Sequence, residues 1–196
     1  MTPDNKTTHS HGPANVEHEL RKAYNTVIET GVCHFWDRKG IAGVNAHEAV
    51  TVYKRAYSCF KLGNRLAAER WARTAKHLSR AFWHEAKLAY LEPIANDLPF
   101  LLGAQDEEYN LHERPDTTED LLASVENCLP ASMSEMPEDM KRYLTRAKKH
   151  LKIIENPEYI HELLRAERIK AAHEYGRVLE CMLLAYEAEA AQKTAA

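Results

Sequence analysis

Between Asn45 and Glu92 the chain carries no proline and only one glycine, Gly63, so its apolar positions can be followed almost without interruption. Before that glycine Ala49, Val50, Tyr53, Ala56, Tyr57 and Phe60 recur at helical spacing. After it, Ala68, Trp71, Ala72, Ala75, Leu78, Phe82, Ala86 and Ala89 fall within roughly 120° of one another on a helical projection. Two long helices folded back at Leu62-Gly63-Asn64-Arg65 are therefore expected, the first capped at Asn45 and closed by the glycine. The alanines of the second stripe let a neighbouring helix come close, while Trp71, Leu78 and Phe82 fill the space between them. The opposite face of that helix carries Arg70, Arg73, His77 and His84.

The rest of the chain continues the same period. Residues 1–14 lack apolar periodicity and read as a disordered arm. Asn15 caps a first helix whose apolar face is Val16, Leu20, Ala23, Tyr24, Val27 and Ile28, ended by Gly31. The aromatic, glycine-flanked segment 31–40, with Phe35 and Trp36, predicts a packed loop or a short helical turn. Pro93 ends the long helix, since the residue before proline is driven out of the α region. The acidic stretch 103–116 is the best place for an internal linker. A short helix follows through Leu121, Leu122, Val125 and Cys128. Another runs from near Pro137 with Met140, Tyr143, Leu144, Ala147, Leu151 and Ile154 on one face. Asn156-Pro157 starts a last helix reaching about Glu189. Its segment Val178 to Tyr186 holds one charge, Glu180, so this helix either lies at the centre of the core or pairs with another copy through Val178, Met182 and Tyr186. No stretch alternates as a strand would. The fold class is all-α: a helical bundle or short repeat-like array of six to seven helices, forming one domain over residues 15–196.

Composition narrows the function classes. Hydrophobic residues make up 44% and charged residues 28% of 196 positions, and no apolar run approaches the roughly 18 residues that span a bilayer. No secretory signal pattern is present, so the expected location is cytoplasmic. Cys33, Cys59, Cys128 and Cys181 form no CxxC pair and are expected as reduced thiols. A formal net charge of -3 gives no overall pull toward nucleic acid, which is not an expected partner.

Two family resemblances bear on function. With Ala56, Gly63, Asn64, Ala68 and Ala75 at positions that need small or turn-forming residues, the hairpin resembles one degenerate tetratricopeptide-repeat unit of about 34 residues. That implies a scaffold for protein binding. The sequence departs from the pattern at Val52, where the family places an aromatic, and near Arg80, where no proline closes the second helix. Arg168-Ile169-Lys170-Ala171-Ala172-His173 is similar to the arginine, spacer, histidine motif of HEPN-class ribonucleases. It implies metal-independent RNA cleavage, with His173 moving the proton and Arg168 stabilising phosphate charge. Ile169 departs from that family's polar preference, and residues five apart on a straight helix point about 140° away from each other.

Other chemistry finds little support. Glu158-x-x-His161 has di-iron spacing but no second copy, and His77 and His84 stand too far apart on one helix to share a metal, so both read as surface residues. The adjacent Cys33-His34 pair is weak as a ligand set. No nucleophile elbow or phosphate-cradling glycine loop occurs. The basic run Lys141, Arg142, Arg146, Lys148, Lys149 and Lys152 reads as the solvated face of its helix. The expected function is non-enzymatic protein binding, without cofactor or metal, through Phe35, Trp36, Arg70, Arg73, His77 and His84. The alternative is the ribonuclease with Arg168 and His173.

Overall fold

The computed structural model describes residues 15–34, 41–97, 115–127, 136–156 and 162–195. Among them are six α-helices: α1 (Val16–His34), α2 (Ile41–Lys61), α3 (Arg65–Leu91), α4 (Pro115–Asn127), α5 (Glu138–Ile154) and α6 (Glu162–Ala195). A 3-10 segment, Glu92–Asp97, continues from α3. No strand occurs among the described residues, and none of their helices is long and apolar enough to cross a membrane. The chain is all-α.

The α2–α3 turn follows from two residues. Gly63 takes φ +80°, a region that costs a residue with a Cβ roughly 1–2 kcal/mol. Asn64 then caps α3, its side-chain oxygen accepting from the Ala67 N–H at 3.1 Å, while its amide donates to the Ala188 carbonyl at 3.2 Å. One side chain thus closes the hairpin and ties it to α6. Asn15 caps α1 in the expected way, accepting from the His18 N–H at 3.1 Å. Two boundaries differ from expectation. Gly31 does not stop α1, which runs on to His34, and α2 begins at Ile41 rather than at an Asn45 cap. A mid-helix glycine costs only about 1 kcal/mol against alanine, and neighbouring turns outweigh it.

Packing is organised around α3 and α6. Contacts between His77 and Glu174, His84 and Glu167, and Asn64 and Ala188 run in opposite chain directions, so the two helices are antiparallel along most of their length. Helices α1 and α2 cover α3, and α4 and α5 cover α6. The stripe Ala68, Trp71, Ala72, Ala75, Leu78 and Phe82 is buried, with Ala67 and Ala81 beside it, whereas Ala86 and Ala89 are half-buried where α3 leaves the core. Helix α6 buries residues on nearly every side, including Tyr175, Val178, Leu179 and Met182. Its apolar stretch therefore belongs to this chain's own core. Val178 and Met182 are not available to a second copy, which corrects the self-association reading.

Candidate functional site

The expected binding face of α3 lies against the chain itself. His77 Nδ1 stands 2.6 Å from Glu174 Oε2, and His84 Nδ1 stands 2.6 Å from Glu167 Oε2, with the two imidazoles only 12% and 15% exposed. Arg73 reaches Glu69 at 2.6 Å and lies 3.8 Å from Glu19 of α1, and Arg70 is half-buried. The reading of His77 and His84 as surface residues is thus corrected: their face meets two carboxylates of α6 whose spacing matches theirs. Phe35 and Trp36 lie outside the described residues, as do Glu158 and His161.

The seam is electrostatically closed. Burial alone pushes the Glu167 carboxyl up, but the hydrogen bond and field of His84, with Lys87 and Lys170 nearby, pull it down to about 2. The same opposition acts on Glu174, where burial is outweighed by His77 and Arg80 and the carboxyl is held below its ordinary range. These carboxylates stay ionised and occupied by cations of the same chain.

Arg168 and His173 go to different partners. Arg168 donates to His150 Nδ1 at 3.2 Å and to Glu92, while His150 Nε2 meets Glu85 at 3.2 Å. His173 faces α4, with Nδ1 3.4 Å from the Thr118 hydroxyl. The α-helical twist separates them, as their spacing of five implies. His150 is buried and stacked on Tyr175, with ring centroids 6.2 Å apart. Tyr175 also stacks on Tyr143 and accepts from Arg146 at 3.2 Å.

At the other end of the bundle Glu189 accepts from two elements, α2 and α3. Arg55 donates through Nε at 3.0 Å and Nη2 at 2.6 Å, and the Trp71 indole N–H donates at 2.7 Å. The Arg55 guanidinium lies 3.9 Å from the centroid of the Trp71 ring. Tyr186 packs edge-on to Trp71 at 5.1 Å and donates to Asp139, so it too is engaged within the chain. Among the described residues no group of three or more His, Cys, Asp or Glu side chains is placed to hold a metal.

Leu62, Leu66, Trp83 and Tyr90 are exposed on and beside α3, and a further exposed group lies at the outer seam of α1 and α2. Tyr24 is 51% exposed, Ile28 50% and Tyr57 46%, and Tyr24 meets half-buried Tyr53 across the seam with ring centroids 5.9 Å apart. Burial raises the Tyr53 hydroxyl, and Tyr24 and Tyr57 raise it further, as expected for phenols clustered at one surface. Sequence reasoning placed all four side chains on core-facing stripes. They sit at the flank of those stripes, where periodicity gives no signal that distinguishes the last buried position from the first open one. Comparison with known proteins finds no family model, no curated protein and no solved structure that matches the chain.

Proposed function

We propose that this chain is a non-enzymatic helical scaffold, working in the cytoplasm, that binds another protein through the outer seam of α1 and α2. The observation that carries the reading is the cluster of Tyr24, Ile28, Tyr53 and Tyr57. Three of these large side chains are about half exposed or more, on a molecule whose α3–α6 charges are taken up by partners of its own. Tyrosine suits such a role, because it covers a large area with few rotamers to freeze and offers a hydroxyl at the rim. The hairpin with tetratricopeptide-like small residues supports the same reading, since it gives α2 a close-packed base on α3. Cys59 and Cys181, both buried free thiols, suit a reducing compartment. The ribonuclease alternative has less support, because Arg168 and His173 contact separate elements.

The test is site-specific photocrosslinking in cells. A benzophenone side chain at position 57 is expected to give a discrete protein adduct that is lost when Tyr24→Ser is added. The same probe at exposed Lys149 should not give that adduct. No adduct from position 57, or an identical one from position 149, overturns the reading.

A further inference from the structure

We propose that the seam between α1 and α2 takes an acidic amphipathic helix of a partner protein. This rests on the docking reading above and adds the chemistry of the occupant.

Both walls of the seam are helices whose backbone groups are bonded within themselves, so no edge is offered for an added strand. An occupant must bring its own backbone satisfied, and a helix does so. The apolar floor suits one: Tyr24 and Ile28 stand one turn apart on α1, Tyr53 and Tyr57 one turn apart on α2, and the two rows meet at Tyr24 and Tyr53. Side chains at i, i+3, i+4 and i+7 of a guest helix would lie along that floor.

Charge selects the guest. The exposed positions of α2 between residues 46 and 61 are His47, Thr51, Lys54, Tyr57, Ser58 and Lys61, and none is a carboxylate. Lys61 lies 4.9 Å from the centroid of the Tyr57 ring. Arg21 stands one turn before Tyr24 on α1. Neither Arg21 nor Lys54 has a carboxylate partner among the described residues. Of the exposed acids of α1, Glu17 is bound to Arg65 at 3.0 Å, and Glu29 lies about 140° around the helix from Tyr24, away from the seam. The rim is therefore cationic on a chain that is net negative. A second copy would bring the same cations against these, and a nucleic acid would meet only three cations around an aliphatic and aromatic floor.

A display library of helix-forming 18-residue peptides, randomised at every outward position, is panned against the whole chain. Selected peptides are expected to place Asp and Glu beside an apolar stripe. They should lose about fivefold or more in affinity with Lys54→Glu plus Lys61→Glu, lose about thirtyfold with Tyr57→Ser, and keep their affinity with Lys193→Glu. Circular dichroism of each variant confirms the helical fold. Peptides that depend on Tyr57 but show no acidic preference and ignore the lysine reversals overturn the acidic partner and leave the docking surface standing. Enriched peptides indifferent to Tyr57, or no enrichment at all, overturn this proposal, and the crosslinking experiment then decides the docking surface on its own. Binding of single-stranded RNA at this seam in place of any peptide also overturns it.

Discussion

His84 and Glu167 face each other across the α3–α6 boundary at 2.6 Å, and seven residues along each helix His77 and Glu174 repeat the contact at the same distance. Two matched rungs fix the register of two antiparallel helices more sharply than apolar packing does. A one-turn slip would leave two carboxylates without their partners in a buried seam, and an unpaired buried charge is heavily penalised. The alanine-rich core on its own would tolerate such a slip better.

Removing one partner of a rung should expose that cost. Glu167→Ala is expected to lower stability by about 3 kcal/mol, read as a shift of the urea midpoint at constant slope. Arg177→Ala, which breaks an exposed contact with Glu180 at 2.6 Å, should change it by less than about 0.5 kcal/mol. Equal effects from the two would mean that the seam does not hold the helices in register.

Acid should act through the same carboxylates. Glu167 lies at about 2 in the folded chain against an ordinary value of 4.5, and Glu174 and Glu189 are also depressed. On acidification the unfolded chain therefore takes up these protons first. The stabilisation is complete above the unfolded value and is lost as pH falls through the folded one. Urea midpoints measured from pH 6 down to pH 2 should decline, most steeply below about pH 4.5. Glu167→Gln should flatten the curve, and an unchanged slope in that variant would remove Glu167 as a source.

The two described thiols should be quiet. Burial raises both Cys59 and Cys181 to about 11, and the Glu189 carboxylate 3.5 Å from the Cys59 sulfur acts in the same direction. At pH 8, with Cys33 and Cys128 replaced by serine, iodoacetamide should modify the native chain far more slowly than the urea-unfolded chain. Glu189→Gln should speed modification at Cys59 more than at Cys181. Mass spectrometry of the digested product separates the two sites.

Helix α4 approaches α6 closely at Gly176, where an added Cβ would come within 2.7 Å of Leu121 Cδ2 and 3.1 Å of its Cγ. Gly176→Val should destabilise by about 1–3 kcal/mol, with faster amide exchange concentrated in residues 115–127. Adding Leu121→Ala should recover part of the loss. Failure of that rescue would show that the valine acts within α6 rather than on α4.

Much of the architecture was legible in the sequence because periodicity reports burial. The α3 stripe through Phe82 and the all-round apolar character near Val178 follow from which residues cannot face water, and the turn at Gly63 follows from the one residue type that takes φ +80° without strain. The site was less legible, for two physical reasons. Periodicity assigns polar residues to an outside, yet His77 and His84 meet acids on α6 that only the tertiary fold brings opposite them. It also cannot tell an apolar residue at a packed flank from one at an open flank, and Tyr24 and Tyr57 fall on the open side.

The central position of α6 has a consequence for how the molecule comes into being. Chain order places α6 after every helix it touches, so α3 is synthesised before Trp71 and Phe82 gain their α6 ring partners Tyr186 and Tyr175, and with His77 and His84 awaiting their acids. The nascent chain must hold this surface away from its neighbours until α6 arrives. The alanines of the α3 stripe, which let α6 come close at the end, also keep that waiting surface less adhesive than larger residues would.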